Sequence, residues 1–254
     1  MPKATIKSSH EITLIRESCR IVAEVLRLLK GMVRIGVTTK ELDHLAEEYI
    51  RSQQAEPAFK GYGTDKQNLY PASICASIND EVVHGIPSNR TLQDGDIVAI
   101  DVGVKKNEFY GDGAWTFQIG EISEEKTRLM QTAEESLYKG IEQARAGNRV
   151  HDISAAVQKH VEAVGYSVVR DLVGHGVGRY LHEEPAVPNF GKRGTGMLLQ
   201  SGMTIAIEPM VNAGAYDVKV DSDGWTVRTY DGSPSAHFEH TIVVTNHEPE
   251  ILTI

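Results

Sequence analysis

The sequence predicts an α+β fold made of two related halves, with antiparallel sheets flanked by helices. Three observations predict it. Helical and strand-like patterns run helix, helix, strands and then helix, helix, strands again. Gly36, Leu42, Ala46 and Ile50 recur as Gly147, Ile153, Val157 and Val161 at one constant offset. Leu92-x-x-Gly-x-Ile-Val-Ala-Ile-Asp101 recurs as Leu199-x-x-Gly-x-Thr-Ile-Ala-Ile-Glu208, so each half has an apolar strand that stops on a carboxylate. Two further matches follow in the same order, Asp112 with Glu239 and His84-Gly-Ile-Pro with His182-Glu-Glu-Pro. Any one match is within reach of chance; the ordered set is much harder to dismiss. The expectation is one compact domain over residues 1–254, with pseudo-symmetric halves at about 9–122 and 123–254 and no Pro/Gly/Ser-rich linker around 118–126.

Each element has a local reason. Ser8-x-x-Glu11 is a capping box, and Ile12, Ile15, Cys19, Val22, Leu26 and Leu29 follow at helical spacing until Gly31. Thr38-x-x-Glu41 opens a second helix with Leu42, Leu45, Ala46, Tyr49 and Ile50 on its apolar face. From Ser73 the texture turns strand-like, broken at Asn79-Asp80 and Gly85-Ile86-Pro87. Ile97-Val98-Ala99-Ile100 reads as a buried strand ending at Asp101, with Asp112 a short turn and a Gly-Asp-Gly later. Helical periodicity returns over Glu121–Gly147 and His151–Val164, and strands resume from Tyr166.

Composition narrows the class of function. A chain of 254 residues buries a sizeable core without staples. A formal net charge of −9 argues against a general nucleic-acid binder, which needs a basic face to neutralise phosphates. Two cysteines, Cys19 and Cys75, are too few for a disulfide framework and suggest a reducing compartment. No signal-peptide core and no membrane-length apolar run is present, so the cytoplasm is the expected location.

The chemistry concentrates on acids at strand ends. An unpaired carboxylate buried there would cost several kcal/mol, so it must meet water, a cation or a metal. Read alone, Asp101 and Asp112 would more often be a turn residue and a solvated acid. Glu208, between Thr-Ile-Ala-Ile and Pro209-Met210, and Glu239, ahead of His240-Thr-Ile-Val-Val, are harder to explain that way. Four converging acids would repel one another, and no lysine or arginine holds a matching place. A pair of divalent cations resolves the conflict. His175, set among glycines in Val-Gly-His-Gly-Val-Gly-Arg, is the natural nitrogen ligand beside them. Such a donor set suits Mn, Fe, Co, Mg or Zn.

Asp101, Asp112, His175, Glu208 and Glu239, together with Asn-Asp-Glu-Val-Val-His84-Gly-Ile-Pro, His182-Glu-Glu-Pro, Ile-Glu-Pro-Met and Phe-Glu-His-Thr, resemble the type I methionine aminopeptidases. The resemblance runs from about residue 9 to the end. It implies the pita-bread fold, two divalent ions per chain (Co, Mn, Fe, Zn or Ni), and removal of the initiator methionine from nascent chains with a small second residue. By position, it implies that Asp101 and Glu239 bridge the metals, Asp112 completes one site, and His175 with Glu208 the other. Glu208 would also shuttle the proton, while His84 and His182 bind the substrate amide. Phe59, Tyr62, Tyr70, Cys75, Leu181 and Trp225 are the matching candidates for an apolar methionine pocket. The implied partner is a nascent polypeptide N-terminus, with the ribosome a further candidate, no specific nucleic acid, no membrane, and a monomeric enzyme. The chain itself begins Met1-Pro2, a substrate sequence by the same rule.

The chain departs from the family pattern at four places: Phe59 where cysteine is common, a longer Gly61–Pro71 loop, Leu181 for a frequent phenylalanine, and His237 where glutamine is common. These bear on substrate range and turnover. Asn79 and Ser235 match positions that help hold a monovalent cation in relatives. Two alternatives remain open at the level of sequence. A proline-directed aminopeptidase of the same fold would carry a substantial preceding domain, where this chain has about eight residues. A non-catalytic binding module would have lost metal ligands.

Overall fold

The computed structural model describes residues 4–254; Met1 and Pro2, with their expected processing, lie outside the described residues. Four helices carry the scaffold: α1 (Ser9–Lys30), α2 (Thr39–Ser52), α3 (Glu124–Ile141) and α4 (Val150–Glu162). Both expected capping boxes form, Ser8 with Glu11 and Thr38 with Glu41, which satisfies amide donors that the first helical turn leaves free. In α4 the Asp152 carboxylate accepts from the Arg149 amide at 2.7 Å and plays the same part.

Strand order repeats between the halves. In the first, Ile97–Lys106 lies between Cys75–Ile78 and Phe109–Gln118, all antiparallel. In the second, Thr204–Ile207 lies between Gly174–Gly176 and His240–Val243, again antiparallel. Two apolar cores follow. Ile21, Val25, Leu42 and Ile50 pack on Val98 and Ile100, while Leu129, Leu137, Ile153 and Val157 pack on Ile205 and Ile242. The repeat extends to individual hydrogen bonds. Gly36 donates to Leu92 O and Leu92 to Val37 O; Gly147 donates to Leu199 O and Leu199 to Asn148 O.

Two details differ from the sequence reading. The Asp101 strand does not stop at Asp101 but continues to Lys106, turning at Asn107 (φ 49°) and Glu108 (φ 65°). Asp101 is the end only of the ladder to Cys75; its other edge stays paired to the Asp112 strand throughout. A polar side chain inside a strand resembles a strand end in one dimension.

The second difference concerns symmetry. Gly103 pairs with Asp112, and Met210, which stands to Glu208 as Gly103 stands to Asp101, pairs with His237. The mate of Asp112 is therefore His237, and Glu239 takes the place of Ala114. The seam bears this out. Thr241 Oγ1 accepts from Asp112 N (3.2 Å) and donates to Asp112 O (2.7 Å). Thr116 Oγ1 accepts from His237 N (3.0 Å) and donates to His237 O (2.7 Å). Between them Glu239 N donates to Ala114 O at 2.9 Å, joining the two halves at the axis.

Helix α1 lies directly on the hairpin. A Cβ added at Gly111 would sit 2.6 Å from Cys19 N, against helix backbone that cannot rotate aside. Gly111→Ala is therefore expected to destabilise the protein by about 1–3 kcal/mol, the usual cost of overpacking. Urea unfolding measures this, and an unchanged midpoint would contradict the close packing.

Candidate metal centre and adjoining pocket

The seam converts local strand geometry into a cluster of acids. Asp101 and Asp112 emerge on one face of the hairpin because Asp101 pairs with Ala114 and Asp112 with Gly103, two residues along each strand. Glu208 follows the last residue of its strand, and Glu239 faces it across the same ladder, one step beyond the Ile207–His240 pair. His175, on Gly174–Gly176, brings Nε2 to 3.8 Å from Asp112 Oδ2 and 3.5 Å from Glu208 Oε1. One donor atom each from Asp112, His175 and Glu239 lies within 4.8 Å of the others.

Electrostatics shows what this arrangement lacks. Burial raises the Asp101 carboxyl to about 7. Burial, and then neighbouring carboxylates, raise Asp112, Glu208 and Glu239 well above the usual range. Asp101 Oδ1, Asp112 Oδ1 and Glu239 Oε1 are buried without a hydrogen-bond partner. The His175 ring donates from Nδ1 to Gly176 O at 2.9 Å, which leaves the Nε2 lone pair available. Burial, then His182, lowers His175 to about 3, so the ring is neutral as a ligand must be. Orphaned carboxylate oxygens around a neutral imidazole fit a divalent ion.

The thirteen residues expected as metal ligands, substrate-binding histidines or pocket wall line one cavity of about 170 Å³. The five candidate ligands lie with His84 and His182, and Phe59, Tyr62, Tyr70, Cys75, Leu181 and Trp225 supply apolar and aromatic wall. Cys75 is there because it pairs with Asp101. Phe59 is there because Gly103 has no side chain: a Cβ on Gly103 would meet Phe59 Cε1 at 2.5 Å. Tyr70 sits edge-on to both Phe59 and Trp225, with ring centroids 6.5 and 5.2 Å apart. His84 holds a left-handed backbone, φ 59°, a conformation more frequent for histidine than for most residues but still costly. Burial, then His182, lowers its imidazole to about 4.

Sequence reasoning missed Val83, Leu172, Val173 and Met210 as lining residues. Val83 and Met210 carried a signal, their places before His84 and after Glu208-Pro209. His237 was noted only as a departure. It is 1% exposed, and its Nε2 has no partner, lying 4.0 Å from Glu208 Oε2 and 3.9 Å from Glu239 Oε2. Ser235 N donates to Asn79 O, and Lys126 Nζ donates to Asn79 Oδ1 at 2.8 Å and to Gly95 O at 2.6 Å.

Residues 13–246 match the profile of metallopeptidase family M24. The chain belongs to metallopeptidase family M24. It is therefore a hydrolase of a family that uses divalent metal ions. A methionine aminopeptidase of Clostridium perfringens is 53% identical to it over 250 residues, 98% of each chain. The crystal structure of the methionine aminopeptidase of Thermotoga maritima matches with a TM-score of 0.95 at 44% identity, covering 99% of both chains. The resemblance read from the motifs thus holds over the whole length, and the fold is the expected pita-bread fold. A prolidase of Pyrococcus furiosus shares that fold at 22% identity and a TM-score of 0.78, with 98% of this chain covered but 65% of the prolidase.

Stability of the metal-free protein should depend on pH with a definite sign. The raised carboxyls bind more protons folded than unfolded from about pH 4 up to and beyond pH 7, so they remove stability as pH rises. Neutral buried His84, His175 and His237, lowered to about 4, 3 and 3 from 6.5, remove stability only as pH falls below 6.5. Above 6.5 the carboxyls set the slope, joined toward pH 9 by the buried thiols of Cys19 and Cys75, which burial also raises and which act in the same direction. Chelator-treated protein is expected to melt at lower temperature at about pH 8.5 than at 6.5, and saturating Mn or Co to raise the melting point and flatten the slope. A flat or rising metal-free profile would overturn this account.

Proposed function

We propose that the chain is a single catalytic domain that removes N-terminal methionine from nascent polypeptides whose second residue is small. The observation that carries this reading is the aromatic and apolar pocket of Phe59, Tyr70, Cys75, Leu181 and Trp225 opening directly onto the buried acids and His175. A thioether side chain fits there without losing a hydrogen bond. The protein works in the cytoplasm as a monomer, with nascent chains, and the ribosome that bears them, as partners. Among the described residues no helix is long and apolar enough to cross a membrane.

Asp101, Asp112, His175, Glu208 and Glu239 would hold two divalent ions, of Co, Mn, Fe, Zn or Ni. Bound there, the ions lower the pKa of water and polarise the scissile carbonyl. The protein's own groups do the rest. Glu208 takes a proton from the attacking water and returns it to the leaving amine. In the metal-free protein, burial and then the adjacent Asp101 charge raise its carboxyl above the usual range. His84 and His182 are held neutral by burial and donate N–H to the substrate amide and the developing oxyanion. The pocket walls fix the side chain so that the carbonyl meets those donors.

Purified protein supplied with Mn, Co or Fe is expected to release methionine from Met-Ala-X and to leave Ala-Pro-X intact. Cleavage of Ala-Pro-X instead would favour the proline-directed reading, and no cleavage of either would favour a binding module. Glu208→Gln is expected to keep the fold by circular dichroism while lowering kcat by about 10²-fold or more, the scale of a lost general acid–base group. A kcat close to wild type would refute the proton-shuttle role.

A further inference from the structure

One contact of the site joins a residue of the pocket wall to a histidine that is not among the candidate metal ligands. Tyr62 Oη lies 2.6 Å from His182 Nδ1, and the two rings pack at 5.3 Å between centroids. A phenol is a stronger acid than the N–H of a neutral imidazole, and an imidazole nitrogen accepts better than a phenol oxygen. The hydroxyl therefore donates and Nδ1 accepts. Burial, then the neighbouring Tyr110 and Asp112, raises the Tyr62 phenol above its ordinary value, so it is a hydroxyl able to donate.

We propose that Tyr62 is a positioning residue that fixes His182 in the tautomer carrying its proton on Nε2, the nitrogen left free to donate to the substrate. This rests on the aminopeptidase reading for the part that concerns turnover. An imidazole in the other tautomer would present a lone pair where the substrate oxygen needs a donor, and the two would repel. The His175 ring, 4.2 Å away between centroids in an edge arrangement, makes no hydrogen bond to His182 Nδ1, so Tyr62 is the group that selects the tautomer.

The backbone holds the hydroxyl ready. Tyr62 N donates to Phe59 O at 2.8 Å, and Tyr70 N donates to Tyr62 O at 2.9 Å. Gly61 and Gly63, at φ 82° and 130°, turn the chain on either side of it. The long loop beyond is tied down through Asn68, whose carbonyl accepts from Trp225 Nε1 and whose amide donates to Asp223 O, each at 3.1 Å. The extended Gly61–Pro71 loop thus does more than wall the pocket. It sets the proton position on a residue of the other half.

The test is Tyr62→Phe, which keeps the ring and removes only the donor. In zinc-loaded full-length protein, imidazole 15N NMR with the His182 signal assigned by its loss in His182→Asn is expected to show Nε2–H in the wild type and a mixed or Nδ1–H population in Tyr62→Phe. With Met-Ala-X, kcat is expected to fall about 10-fold, the scale at which removing a ligand-orienting partner acts, with KM within about two-fold and metal content unchanged. An Nδ1–H tautomer in the wild type, an unaltered tautomer in the variant, or a variant kcat within two-fold of wild type would overturn the proposal. Should the wild type release no methionine, the aminopeptidase reading fails while the tautomer measurement still decides the role of Tyr62.

Discussion

Burying four carboxylates at one seam is the constraint on which the rest of the structure depends. Asp112 and Glu239 are buried, Asp101 and Glu208 half-buried beside them, and three of the four keep an oxygen with no partner. Without a cation that arrangement is unfavourable, because desolvation and mutual repulsion act in the same direction. It persists because the surrounding sheets and helices leave the acids no other place. The two apolar cores, one under α1 and α2 and the other under α3 and α4, supply the stability against which the strain is set. A divalent cation held among the acids would relieve that strain.

The pseudo-symmetry is that of the backbone, and the site departs from it. Thr116 and Thr241 make the same paired hydrogen bonds to His237 and Asp112, so the two halves meet through equivalent contacts. Yet the equivalent positions carry an acid in one half and an imidazole in the other, and Glu239 stands where its mate, Ala114, has only a methyl group. The candidate ligands are therefore not two-fold related: Asp112 and Glu239 have no acidic mates. The unpartnered His237 Nε2, facing Glu208 and Glu239, marks the position where the symmetry was spent.

Pocket and metal cluster are joined by shared strands. Cys75 lies opposite Asp101 in the ladder, and the bare Gly103, two residues further along that strand, makes room for Phe59. The side-chain pocket thus has its floor on the element that presents a candidate metal ligand, and a change in one is felt in the other. The longer loop bearing Tyr62 reaches across to His182 and ties the first half to the second at the mouth of the cavity.

The sequence by itself determined the helices, the repeat and the identity of the acids. Capping boxes at Ser8 and Thr38, apolar periodicity and the paired apolar runs leading to Asp101 and Glu208 are local patterns, and local patterns survive projection onto a line. It also gave the pocket residues, but only through resemblance, since Phe59, Tyr62 and Trp225 share no spacing. Tertiary structure decided what depends on register between distant strands. It carried the Asp101 strand on to Lys106, made His237 rather than Glu239 the mate of Asp112, and added Leu172, Val173 and Met210 to the cavity. It alone placed Tyr62 on His182. The physical reason is common to all of these: a hydrogen-bonded register fixes which side chains share a face, and no residue declares its partner in a chain 120 positions away.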